Sequence, residues 1–173
     1  MTRKLILIFG VLIGASWMGE VLFGNLGDTP LFENFRMFHP YAYRTIGWSF
    51  VSGAVAFTAL AGFVATFPFG DFRKAVFTSV CSGLVSGVIV LAGGMTMEVV
   101  FHDALRHSPS VLSEFATSGQ SDLDEFMLGD ALVGGLAHVL IGPALGLTVG
   151  AVGAAIGMLA LRVRFRLAQD RRD

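Results

Sequence analysis

Four apolar stretches, Leu5–Gly24, Ile46–Phe67, Ala75–Met97 and Ala131–Leu161, constrain this chain more than any other feature. Each meets the roughly 20 residues a helix needs to cross a hydrocarbon core about 30 Å thick. Lipid offers no partner to backbone N–H and C=O groups, so only helices and closed barrels span it. Strict polar–apolar alternation is absent, which makes these stretches helices. At about 1.5 Å per residue the fourth would reach ~46 Å. It must tilt, project from the membrane or bend, and Pro143 is the natural place for a bend. The expected fold is therefore all-α: a single membrane domain over 1–173, a four-transmembrane-helix bundle with short external amphipathic helices.

Composition supports the same reading. The chain is 54% hydrophobic and 14% charged, with mean hydropathy +0.70, against ~25% charged residues in a soluble domain. A net charge of −1 offers no basic face for nucleic acid. Sixteen Phe against two Tyr suit a surface turned to lipid. The single cysteine, Cys81, lies inside an apolar run. That excludes an intramolecular disulfide, dithiol redox chemistry and a Cys-rich metal site.

Basic residues set the expected orientation. Arg3 and Lys4 precede the first span, Arg73 and Lys74 separate the second from the third, and Arg162, Arg164, Arg166, Arg171 and Arg172 follow the fourth. Only Arg36, Arg44 and Arg106 fall on the other side, nine against three. Both termini and the short middle loop are expected in the cytoplasm. The first span also has signal-peptide features, Arg3-Lys4 followed by Leu5–Ala15 and small Ala15-Ser16. The apolar run nevertheless continues through Val21-Leu22-Phe23 without a clear cleavage site, so retention is the expectation.

Two segments then lie outside. Asn25–Thr45 carries Phe32, Phe35, Phe38, Tyr41 and Tyr43, which suit the headgroup level. His102–Asp130 is acidic; in it Ser108-Pro109 reads as a helix start and Ser121-x-x-Asp124 as a capping box. Short helices lying on the membrane are expected in both.

The fourth span carries the sharpest pattern. At about 100° per residue, Gly135, Gly142, Gly146, Gly150, Gly153 and Gly157 fall within about 80° of arc. Each glycine forgoes roughly 1 kcal/mol of helix propensity relative to alanine in water, so six on one face imply a packing reason. Small residues let backbones approach where no hydrophobic force drives helices together. Related faces are Gly10 and Gly14 in the first span, Gly47, Ala54, Thr58, Ala61 and Ala65 in the second, and Ser79, Gly83, Ser86, Val90 and Gly94 in the third. Packing within one bundle explains them most simply. A stripe of this length, longer than one neighbour needs, leaves a second copy or another subunit as the alternative.

Glu20, Glu98, His102, Asp130 and His138 are the acidic and histidine side chains within or bordering the outer ends of the spans. Glu98 and His102, four apart, share a face if the helix continues. Glu98 and His138 each lie about 40° from a packing glycine, Gly94 and Gly142 respectively. Glu20 points in no direction the wheel resolves, and Asp130, roughly opposite the glycine stripe, reads as a helix-start or solvent residue. Ionised groups are costly at membrane depth and mark function there, although snorkelling to the headgroups relieves those near the surface. A Glu98–His138 contact would make a proton-handling or cation-binding pair. A divalent metal on two His and one or two Glu is disfavoured, since no compact ligand motif such as H-E-x-x-H occurs.

No catalytic or cofactor motif is present: no G-x-S-x-G, P-loop or G-x-G-x-x-G, and no cysteine in a polar setting. Arg162, Arg164 and Arg166 with Phe165 and Leu167 suit anionic headgroups, as does any basic stop signal.

The order of elements resembles an uncharacterised family of bacterial four-span inner-membrane proteins, a domain of unknown function. The resemblance rests on Ile46-Gly47-Trp48 opening the second span, Phe69-Gly70-Asp71-Phe72-Arg73-Lys74-Ala75 in the inner loop, Met97-Glu98-Val99 closing the third span, and Pro143 in a glycine-bearing fourth span. It implies the architecture and a bacterial inner membrane, and no activity. The expected role is a non-enzymatic, helix-packing subunit that binds no cofactor and self-associates or joins a larger complex. The alternative is a small proton- or cation-linked transporter or channel using Glu98, His138, His102 and Glu20. Convergence of those side chains on a cavity would favour the alternative.

Overall fold

Each apolar run forms a helix that extends past both of its ends. The computed structural model describes residues 2–170, so Arg171 and Arg172 of the basic C-terminal run lie outside the described residues. Helix α1 spans Thr2–Leu26, α2 Glu33–Phe38, α3 Pro40–Phe69, α4 Phe72–Val100, α5 His102–Arg106, α6 Pro109–Ser118 and α7 Leu123–Gln169. No strand occurs among the described residues. The long helices α1, α3, α4 and α7 form one bundle, and all four are long and apolar enough to cross a membrane. The chain is a multi-pass membrane protein.

Local chemistry sets the turns. α3 ends where Gly70 adopts φ 57°, a left-handed conformation that favours glycine. Asp71 then caps α4, its carboxylate accepting from the Arg73 and Lys74 amides at 2.8 and 3.2 Å. Two residues thus reverse the chain and make α3 and α4 antiparallel neighbours. α6 starts at Pro109, as the sequence implies, with Ser108 at the capping position but its hydroxyl paired with that of Ser110 at 2.9 Å rather than with a backbone amide. The start of α7 differs from expectation. Asp122, not Ser121, is the cap, accepting from the Asp124 and Glu125 amides at 2.8 and 3.1 Å. Asp130 is therefore eight residues into the helix rather than at its start. Aspartate holds two amides with one oxygen, which outcompetes the serine hydroxyl one residue earlier.

α7 runs unbroken through Pro143 for 47 residues, about 70 Å. Its last two turns, residues 162–169, are exposed on every side, Val163, Phe165 and Leu167 included, as for a helix end that no other helix covers. Of the three solutions open to an overlong span, projection is therefore one the helix uses.

α4 is the central helix, packed against α1, α3 and α7. Its buried residues from Ala75 to Gly87 are all small (Ala75, Thr78, Ser79, Ser82, Gly83, Ser86 and Gly87), and the larger Val90, Met97 and Glu98 are buried only toward its C-terminal end. The six α7 glycines are all buried. Gly135 lies against Leu91, Gly142 against Gly83, and Gly146 against Ser79 and Val80, all on α4. Gly150 lies against Ser79, and Gly153 and Gly157 meet Ala59, Phe63 and Thr66 of α3. One stripe thus serves two neighbours in succession, α4 and then α3. That accounts for its length within a single chain. On α1, Gly10 and Gly14 receive Val85 and Ile89 of α4. Gly47 departs from the face assigned to it: nothing lies within 4 Å of where its Cβ would stand.

The buried hydroxyls cost little here because each is used. Ser82 donates to Thr78 O (2.9 Å), Ser86 to Gly83 O (2.8 Å) and Thr58 to Ala54 O (2.8 Å), while Ser79 crosses helices to Thr58 O (3.2 Å). At the other end of the bundle the Asn25–Thr45 aromatics divide. Phe32, Phe35 and Tyr43 gather around Phe23, with Tyr43 stacked at 4.5 Å and its hydroxyl donating to Phe23 O at 2.6 Å. Phe38 and Tyr41 remain exposed.

Candidate functional site

The tight helix contacts do not continue to the α5–α6 end of the bundle. There Gly24, Gly94 and Gly134 contribute no side chain and have no close neighbour, so the helices enclose space. A cavity of about 270 Å³ results, bounded by the C-terminal turns of α1 and α4, the first turns of α7, and α5 and α6 laid across. Its apolar wall includes Val21, Val90, Met97, Val111, Phe126 and Met127. Its polar groups are Glu20 and Asn25 of α1, Glu98 of α4, Ser110 and Glu114 of α6, and Asp130 and His138 of α7. Among the described residues no Lys or Arg lines it.

Glu98 is the most enclosed of the carboxylates. It is 8% exposed, and its Oε1 has no hydrogen-bond partner. Its nearest basic group is the His102 ring, Nδ1 at 3.6 Å from Oε1, beyond direct hydrogen-bond range. α4 ends at Val100 and α5 begins at His102, yet the two side chains still meet across that break. The other ring nitrogen of His102 lies 3.6 Å from Asp124 Oδ1, and Asp124 is held by Arg106 Nη1 at 3.1 and 3.2 Å. A chain of alternating acidic and basic side chains, Glu98–His102–Asp124–Arg106, thus leads from the buried wall to the surface.

His138 is placed differently. Its Nδ1 lies 2.8 Å from Gly134 O, and a carbonyl only accepts, so this nitrogen carries a proton. Nε2 is left for the cavity or for Trp17, whose ring meets the imidazole edge-on at 5.4 Å. Among the described residues no hydrogen bond or ion pair joins His138 to Glu98; they share a cavity, not a contact. Glu20, whose direction the sequence left open, lines the same cavity and also borders a shallower groove containing Tyr43, Arg44 and Trp48. Asp130 is solvent-accessible, as its wheel position suggests, but on the cavity side.

Sequence reasoning missed Glu114, Ser110 and Asn25. Ser110, Val111 and Glu114 share one face of α6 at spacing i, i+1, i+4, and that register was the available signal. Nothing local says that this face turns inward. No group of three or more His, Cys, Asp or Glu with metal-binding geometry occurs among the described residues. Comparison with protein-family models, curated proteins and solved structures finds no match.

Proposed function

We propose that this is a small, non-enzymatic membrane transporter that takes up a cation or proton at the cavity beside Glu98. One observation carries the reading. Three helices of the bundle deliver Glu20, Glu98, Asp130 and His138 to one cavity without a lining Lys or Arg, and the most buried carboxylate has an oxygen with no hydrogen bond. A buried carboxylate in that condition is costly, and a bound cation offsets the cost. His102, between Glu98 and Asp124, supplies a group that exchanges protons between the wall and the surface. The distribution of basic residues supports an extracytoplasmic cavity and cytoplasmic termini. The inner membrane of a bacterium fits the sequence resemblance.

The competing reading is a structural subunit. The α7 stripe speaks less for it than the sequence suggested, because α3 and α4 occupy all six glycines. The projecting end of α7, with Val163, Phe165 and Leu167 exposed beside Arg162, Arg164 and Arg166, favours it as a contact for lipid or another protein.

The test is flux into proteoliposomes containing a pH-sensitive dye, driven by an imposed proton or alkali-cation gradient. Wild-type protein should conduct above empty vesicles, and Glu98→Gln and His138→Gln should each reduce the rate about tenfold or more, as expected for ionisable groups on an ion path. Wild-type flux equal to that of empty vesicles, or rates insensitive to both changes, overturns the transport reading.

A further inference from the structure

The chemistry of the cavity wall narrows the cation that fits it. A dehydrated inorganic ion needs several oxygens converging at bonding distance around a small volume. Here the carboxylates of Glu20, Glu98, Glu114 and Asp130 come from separate elements, and no metal-binding group of three forms among the described residues. The space, about 270 Å³, is several times the roughly 30 Å³ share of a liquid water molecule. The wall also carries apolar side chains, and Phe126 adds an aromatic ring. Carboxylates from four helices beside hydrocarbon and aromatic surface complement a molecule that is cationic at one end and apolar at the other.

We propose that the cavity binds a monovalent organic ammonium ion, its N–H groups donating to the Glu98 carboxylate and its apolar part against Val21, Met97, Val111 and Phe126. The site rests on the reading above as to location, but not as to transport. Glu98 is the anchor because it lines the cavity, is the most buried of its carboxylates, and has a carboxylate left short of hydrogen-bond donors. Asp130 and Glu20, on neighbouring helices, add negative potential without enclosing the ion. A neutral molecule of the same shape would leave the Glu98 carboxylate and its charge unanswered, so charge should decide binding.

Trp17, packed on the cavity residue His138, is a built-in reporter. The chain has two tryptophans, so Trp48→Phe leaves Trp17 alone. Purified full-length Trp48→Phe protein in lipid nanodiscs is titrated with benzylammonium chloride, and in parallel with benzyl alcohol, sodium chloride and magnesium chloride. The expected result is a saturable change in Trp17 emission with benzylammonium alone. Glu98→Gln should weaken it about tenfold or more, as loss of one charge-assisted contact implies. Should Glu98→Gln fail to fold, Asp130→Asn, at an exposed position, should weaken binding by a smaller factor. Equal responses to benzyl alcohol and benzylammonium would overturn the proposal and identify a merely apolar cavity. Saturation by magnesium or sodium but not benzylammonium would overturn it in favour of an inorganic site. The proteoliposome assay separates the two readings. Proton or alkali-cation flux with no benzylammonium binding defeats this inference alone, and benzylammonium binding without such flux defeats transport of protons or alkali cations alone.

Discussion

The α4–α7 seam makes a quantitative prediction through two glycines twelve residues apart on one helix. A Cβ added at Gly146 would stand 2.6 Å from Ser79 O and 2.7 Å from Val80 Cα, both backbone atoms of α4. Unstrained heavy-atom contacts lie at about 3.5–4.0 Å, so α4 and α7 must part by about 1 Å, and neighbouring pairs then forfeit a quarter to a half of their dispersion energy. Backbone cannot rotate away as a side chain can, so the overpacking cost of about 1–3 kcal/mol applies. At Gly134 nothing lies within 4 Å of the added Cβ. Replacement by alanine brings a propensity gain of up to about 1 kcal/mol at either site. That gain cancels in the comparison. Gly146→Ala should therefore be about 1–3 kcal/mol less stable than Gly134→Ala, and Gly134→Ala should be at least as stable as wild type. Unfolding of each variant in bicelles by SDS titration, followed by far-UV circular dichroism, gives the difference directly. A gap below about 0.5 kcal/mol, the scatter of neutral surface changes, would refute close backbone packing at this seam.

Other expectations follow from the same geometry. On a Cys81→Ser background, Ser118→Cys should react with an impermeant thiol reagent in intact cells while Gln169→Cys should need permeabilisation; the reverse pattern would invert the topology. Gly94→Leu should project into the cavity, its Cβ meeting the nearest atom, the backbone Ala131 O, at an ordinary contact distance of 4.0 Å. Flux and benzylammonium binding should both be lost while the melting temperature holds, and retention of both would show that ligand does not occupy this space. Tyr43→Phe removes the 2.6 Å hydrogen bond that ties the start of α3 to Phe23 O; a loss of about 0.5–1.5 kcal/mol should appear in the same SDS titration, and no loss would mean the aromatic stack alone holds the junction.

Much of the architecture was legible in the chain, because the constraints that produce it are local. The lengths of the apolar runs dictate four helices whatever their neighbours do. Gly70 and Asp71 reverse the chain by their own backbone and capping preferences, a local signal that the reading of the inner loop left unused, and Pro109 suits the first turn of α6 by its fixed φ. The six glycines on one arc required a close neighbour on that side of α7. The helix wheel could not say which, and the answer is two helices of the same chain, α4 and then α3. Helix ends were less legible. Caps in polar segments extend α7 to Leu123, well before the apolar run begins, and hydropathy does not register them.

The cavity belongs to tertiary structure alone. Glu20, Glu98, Glu114, Asp130 and His138 come from four helices, and whether their faces meet depends on how each helix is rotated about its axis. That rotation is set by knobs and gaps along its whole length, such as Val85 and Ile89 seated on Gly10 and Gly14, rather than by the residues at the site. A sequence records which face of α1 carries Glu20. Only packing turns that face toward Glu98, because the energy that orients a helix is a sum over contacts with partners distant in the chain.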